Sequence, residues 1–343
     1  MQLIIRDLIY RSPLNYFSNS LTFMKKMISG AISLLFVASA CHKEDVSNDV
    51  NSIPMVTPQL TAFVDTPQEP QSPMTGILEV FPCNAGTSTY FGNYINNKLT
   101  VFNGFYPIKE GHTLNGYNRE LTLPERTYNM VYWGTPVYEE PTYSAPAIVT
   151  PGLSLGTDLS KSYLSLKKNT DDDTYRPVYD LVHAIQETDI AEESLNASLK
   201  RVVAGLKVTV TNQDKGTFSD HIASMEVRIH GIAERLNYYT AEAENMDKTV
   251  KFPLVRSEDG MQMSNATVML FPSGPDPEFE LRIQLKDGSI HTLSQKLNTR
   301  LTANSRLTLN LVIGDLLINE STGDFTVEDW NETSETIEFP IVY

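Results

Sequence analysis

The chain has 343 residues with 27 basic and 42 acidic side chains, a net charge of −15. An acidic surface repels phosphate backbones, and no basic stripe studded with aromatics offsets it, which argues against nucleic acid as a partner. Two cysteines, Cys41 and Cys83, give no disulfide framework, so stability has to come from burial, and about 300 residues beyond an N-terminal leader suit two domains of ordinary size.

In chain order, the first informative segment is the leader. Met24-Lys25-Lys26 supplies a positive start, and Ile28 to Ala40 (ISGAISLLFVASA) an uncharged run too short to span a bilayer. Ala38-Ser39-Ala40-Cys41 then places small residues before a cysteine. This resembles the lipobox of bacterial lipoproteins, with Ala38 standing where Leu is commonest. The resemblance implies that the peptide before Cys41 is removed, that its thiol carries diacylglycerol, and that the new amino terminus takes a further fatty acyl chain such as palmitate. Several acyl chains on one residue make a stable anchor. The alternative is an ordinary signal peptide cut after Ala40 with Cys41 free. Met1 to Phe23 form an upstream extension, and a start at Met24 would exclude them from any fold. Removing residues 1–40 takes away Arg6, Arg11, Lys25, Lys26 and Asp7, so the charge moves from −15 to −18.

Residues 41–55 read as a lipidated tether. His42-Lys43-Glu44-Asp45 resembles the export signal of surface lipoproteins in Bacteroidota, which sends them to the outer leaflet of the cell outer membrane. No later stretch of 18 or more apolar residues appears, so the expected body is held by lipid alone.

Residues 56–195 are expected to form the first β domain, with strands at Gln59 to Val64, Ile77 to Phe81, Leu99 to Phe105, Glu120 to Leu123, Tyr128 to Trp133 and Tyr163 to Leu166. Prolines and glycines between Thr135 and Gly156 indicate long surface loops or edge strands. Residues 196–343 form the second domain, where period-two alternation is clearest. Leu206, Val208 and Val210; Met225, Val227 and Ile229; Phe279, Leu281, Ile283 and Leu285; and Leu307, Leu309, Leu311 and Ile313 each make one apolar face. Lys286-Asp287-Gly288 reads as the turn of a hairpin, and Phe218 to Ser224 as a helical turn. The fold class is all-β, two tandem sandwiches of antiparallel sheets.

Few motifs carry chemistry. Gly152-Leu153-Ser154-Leu155-Gly156 matches G-x-S-x-G, but Pro151 precedes it and no strand-turn-helix context surrounds it, so Ser154 is read as a loop residue. Asp171-Asp172-Asp173 lacks the alternate spacing of a calcium loop and reads as a solvated turn. The histidines show no metal-ligand spacing, and neither a metal nor a cofactor is expected. Tyr128, Tyr132, Trp133, Tyr138 and Tyr143 cluster, and exposed rings there would stack on sugars, with Trp133 and Tyr138 as candidates. The competing reading puts Tyr128, Met130 and Tyr132 on one strand face and packs the rest.

Leu121 to Asn129 (LTLPERTYN), Leu199 to Ala204 (LKRVVA) and Phe325 to Trp330 (FTVEDW) resemble the fimbrillin-like proteins of Bacteroidales, most closely the fimbrial anchor family of FimB and Mfa type. The resemblance implies two transthyretin-like sandwiches, no enzymatic activity, and fimbrial subunits as partners, joined by adding a strand to a neighbour's sheet. In stalk subunits of such fimbriae an arginine-specific protease removes the first strand. Between Cys41 and Arg119 this chain has no arginine, which favours an anchor or accessory subunit that keeps its lipid. The closing Thr336 to Tyr343 is apolar and β-prone, so Ile337, Phe339, Ile341 and Tyr343 are the candidate strand donor, unless they form the last strand of the second sandwich. A glycan-binding surface lipoprotein of a polysaccharide-uptake system is the alternative function.

Overall fold

The computed structural model describes residues 53–65, 71–102, 104–114, 120–138, 140–212 and 215–313, and the backbone of Thr333–Thr336. It is built almost entirely of strands. Among the described residues the helical exception is a 3-10 turn at Leu159–Lys161, N-capped by the Asp158 carboxylate, which accepts from the Ser160 amide.

The first sheet contains β1 (Leu60–Asp65), β2 (Gly76–Asn84), β3 (Tyr106–Lys109), β4 (Thr127–Pro136), β6 (Val182–Asp189) and β7 (Leu195–Arg201). β5 (Tyr163–Leu166) lies between β4 and β6 in sequence but belongs elsewhere. The spatial order runs β7-β6-β4-β2-β3, then the short strand His112–Thr113, then β1, and β1 pairs in parallel with β7 from Leu60↔Leu195 to Asp65↔Lys200. The strand order therefore closes on itself, which removes exposed sheet edges. In β1 the pattern LTAFVD alternates buried and half-buried, and Leu60, Ala62 and Val64 point into a core with Leu78, Val80, Met130, Tyr132 and Leu199.

The second sheet system contains β5, β8 (Ala204–Asn212), β9 (Ile222–Asn237), β10 (Ala243–Arg256), β11 (Gln262–Ser264), β12 (Ser273–Leu285), β13 (Ile290–Lys296), β14 (Arg306–Ile313) and β15 (Thr333–Thr336). Its order is Ile148–Val149, β5, β9, β10, β11, β8, β14, β15, with β12 on the free half of β9 and β13 beyond β12. The pairing of β9 shifts register between Ile229 and Ile232, where Gly231 adopts φ 80°, a conformation other residues resist. The expected hairpin at Lys286-Asp287-Gly288 joins β12 to β13, with Gly288 at φ 90° and the Asp287 carboxylate accepting from the Ser289 amide.

Several expectations change. The helical turn expected at Phe218 to Ser224 is reduced to one hydrogen-bonded turn, the Ile222 amide donating to the Ser219 carbonyl at 3.1 Å, because β9 starts at Ile222, whose buried side chain extends the row of Met225, Val227 and Ile229 toward β12. The sheets are mixed, because β1 with β7, β8 with β14, and β14 with β15 all pair in parallel. In each half the first long strand thus lies beside a late one, a symmetry that no sequence repeat announces. The strand expected at Leu99 to Phe105 is shortened to Lys98–Thr100.

The boundary expected at 195/196 meets β7, which closes the first sheet, and the chain passes to the second at Val202-Val203. Residues before β6 also cross. Ile148–Val149 pairs with β5, β5 pairs with the end of β9, and Val178 bridges Met269, while Gly156 and Thr157 return to exchange backbone bonds with Tyr90. One apolar cluster consequently runs through both halves, from Phe81, Cys83, Val131 and Trp133 to Leu164, Ile232, Leu236 and Tyr238.

Candidate functional site

Cys41 and the candidate donor residues Ile337, Phe339, Ile341 and Tyr343 lie outside the described residues. The structure does describe the strand leading into that donor. β15 lies along β14 in parallel, from Leu307↔Thr333 to Leu309↔Glu335, and among the described residues it has no second strand partner. At the opposite margin β13 pairs with β12 alone, and Ile290 at its start is 49% exposed. Among the described residues the second half therefore has strands paired on one side, the element by which one β protein adds to another. The first half closes on itself.

Trp133 and Tyr138 sit elsewhere than a sugar platform requires. On β4 the side chains of Tyr128, Met130 and Tyr132 enter the first core, as the competing reading had it, while Val131 and Trp133 face the second half. Trp133 is 2% exposed: its ring lies 4.6 Å from His183 and 5.5 Å from Tyr238, and its Nε1 donates to the Tyr238 carbonyl at 2.9 Å. Both ring faces are occupied by protein, so the stacking role expected of Trp133 is corrected. Tyr138 packs half-buried against the same cluster, its hydroxyl 3.5 Å from an Arg306 nitrogen, and burial pushes it up to about 12 against the pull of Arg306. Arg306 in turn holds Glu140 at 3.0 Å.

What the aromatics build is a joint. The turn after β9, Asn237 to Glu242, is stiffened by the Asn237 side chain, which accepts from the amides of Tyr239 and Thr240 and donates to the Ser160 carbonyl. It seats Tyr238 edge-on against Phe81 at 5.3 Å, and Tyr239 accepts a bond from Asn129 at 3.0 Å. Beneath it Glu79, Trp133 and His183 stand side by side on β2, β4 and β6. Burial pushes the Glu79 carboxyl up to about 7 and the His183 imidazole down to about 4, so both are uncharged over much of the ordinary range. Close by, Asp180 and Arg201 form a bidentate ion pair at 2.7 and 2.8 Å with side chains 4% and 7% exposed. Sequence reasoning missed this joint. Its one signal was that β4, TYNMVYWG, is apolar on both faces, as a strand covered on both sides must be.

The remaining motifs are engaged locally. Ser154 pairs with the Thr157 hydroxyl at 3.1 Å. The three acids of the Asp171 turn each meet a cation: Asp171 and Asp172 hold Lys251 at 2.7 and 2.9 Å, Asp172 also holds Arg228, and Asp173 holds Lys168. Burial alone would raise the Asp172 carboxyl, but bonds from Thr174 and Lys251 hold it well below the usual range. Among the described residues no cluster of histidine, cysteine and acid side chains has metal-holding geometry, and no helix is long and apolar enough to cross a membrane.

A family model described as fimbrillin-A associated anchor proteins Mfa1 and Mfa2 matches residues 55–336. Among solved structures, a candidate adhesin from Bacteroides ovatus superposes with a TM-score of 0.50 at 12% identity, covering 82% of this chain and 96% of that one. The fimbrial anchor protein Mfa2 from Porphyromonas gingivalis is similar at a TM-score of 0.43 and 11% identity, covering 75% and 91%. A candidate polysaccharide-binding protein from Bacteroides thetaiotaomicron gives 0.46 and 12%, covering 79% and 93%. No curated protein sequence matches the chain significantly.

Proposed function

The chain belongs to the family of fimbrillin-A associated anchor proteins, and from that premise we propose that it is a non-catalytic surface lipoprotein joining fimbrial subunits to the outer membrane through acylated Cys41. The family match, which spans nearly all the described residues, is the observation that carries the reading. The leader ending in Ala38-Ser39-Ala40-Cys41 supports lipid attachment, and the absence of arginine between Cys41 and Arg119 supports a subunit that keeps its tether. Among the described residues β13 and β15 are each paired on one side only, beside a first sheet that closes on itself, which supports subunit contact by strand addition through the second half, with Ile337, Phe339, Ile341 and Tyr343 as donor. Main-chain bonds then supply affinity, and alternate side chains set the register.

The test is crosslinking of the native acylated protein in outer membranes, followed by identification of what co-purifies. Fimbrial subunits in a denaturant-resistant ladder are expected. Recovery of a transporter with other glycan-uptake lipoproteins would instead point to sugar binding. Cys41→Ala should shift the protein out of the membrane fraction. Deleting residues 337–343 should abolish the ladder while leaving the circular dichroism of the monomer intact; an unchanged ladder would remove the donor role.

A further inference from the structure

Where the chain enters the fold, a small sheet is laid over the first half. Met55–Val56 pairs with Leu123–Pro124, and on the other side of that segment Thr122 bridges Tyr94, with the Thr122 amide donating to the Asn93 side chain at 2.7 Å. Strand alternation assigns its two faces. Val56, Leu123 and Asn93 point inward, the last two at 0% exposure. Met55, Pro124, Thr122 and Tyr94 point outward, with Thr57 tied to Thr122 through their hydroxyls at 3.2 Å.

This outward face is apolar for its size. Ile53 is 55% exposed and Met55 43%, and Ile95, which follows Tyr94 on the Asn93 side of the strand, adds a 46% exposed side chain at the margin. Phe91 lies 6.3 Å from Tyr94 and carries the Arg126 guanidinium at 4.3 Å, and Lys98, Glu120 and Glu125 stand exposed around it. An aliphatic centre with aromatic rings and a long cation at its edge is the composition that settles at a lipid headgroup boundary.

We infer that this face, centred on Ile53, Met55 and Tyr94 with Ile95 at its margin, rests on the lipid surface of the leaflet that holds the acyl chains of Cys41. The inference depends on the anchoring reading above. The length of chain before the fold selects lipid as the occupant. Eleven residues separate Cys41 from Ile53, an extended reach of about 40 Å at most, and they arrive at the apolar face itself. Any slack in the tether lets this face, before any other, meet the bilayer. The tether then works as a short leash on a seated domain, and the second half is left to the fimbrial partner.

The experiment uses the full acylated protein in vesicles of phosphatidylethanolamine and phosphatidylglycerol, with an environment-sensitive nitrobenzoxadiazole probe on Ile53→Cys, Ile95→Cys or Val255→Cys. Cys83 is buried, its thiol pushed up to about 12, and does not compete for the label. Blue-shifted emission quenched by nitroxide-bearing lipid is expected at positions 53 and 95, with emission as in water at position 255 in the second half. Water-like emission at both 53 and 95 on vesicle-bound protein overturns the contact and leaves anchoring intact. A response at 53 alone overturns it too, since the tether by itself holds that residue near the lipid. Failure of the protein to float with the vesicles overturns both readings.

Discussion

Replacing Glu79 with Gln should remove a pH dependence that the joint imposes on the whole molecule. Glu79 stands beside Trp133 on the face of β2 that meets the second half, and burial raises its carboxyl from 4.5 to about 7. The folded protein therefore holds a proton between those two values that the unfolded chain has released. The contribution of Glu79 to stability is full below about 4.5, falls as pH rises through the window, and levels off above 7. The rise from 4.5 to about 7 corresponds to about 3 kcal/mol at most, since a tenfold change in proton affinity is worth about 1.4 kcal/mol and the side chain keeps some contact with solvent. The assay is urea unfolding at pH 5, 6, 7 and 8, followed by tryptophan fluorescence, to which Trp133 and Trp330 both contribute. Differences between wild type and Glu79→Gln cancel the contributions of His183, whose lowered imidazole titrates against the unfolded value within this range, and of Asp158, Asp171 and Asp172, whose carboxyls are lowered in both proteins. The wild type should lose stability relative to the variant as pH rises from 5 to 7. A difference that stays flat across that range would refute the reasoning.

Other substitutions probe the same frame. Asp180→Asn leaves Arg201 buried without its carboxylate and should cost about 3–5 kcal/mol by calorimetry, whereas Glu244→Gln, which breaks the more exposed pair with Arg235, should cost less than about 1 kcal/mol; equal losses would contradict the burial argument. Trp133→Ala should destabilise by about 3–5 kcal/mol in thermal melts by opening a cavity in the joint, and a variant with unchanged melting would return the ring to the candidates for ligand binding. Cutting the chain between residues 195 and 196 should leave two fragments that do not fold alone, because β7 closes the first sheet and Ile148–Val149 and β5 extend the second. Dispersed amide spectra from either fragment would show the halves to be independent.

The sequence by itself determined the β character, several of the strands and the side of each of these that is dry, while Val182–Asp189 and Ala243–Arg256 went unannounced. Tyr163–Leu166, β14 and the hairpin at Lys286-Asp287-Gly288 stand as the alternation and the turn residues imply, because side-chain period and the positive φ of Gly288 are local properties. The proposal of lipid attachment at Cys41 likewise rests on residue order, Ala38-Ser39-Ala40-Cys41, and on no fold. Pairing between distant strands is another matter. Leu60 meets Leu195 and Gly205 meets Arg306 in parallel, and nothing within either strand names its partner, since many partners would satisfy the same alternation. The same holds for Trp133. Its neighbours on β4 announced one buried face, but whether the indole met water, a sugar or another part of the chain was decided only when the turn at Asn237 to Glu242 was brought onto it. An aromatic side chain is suited to each of these surroundings, and tertiary packing alone selects among them.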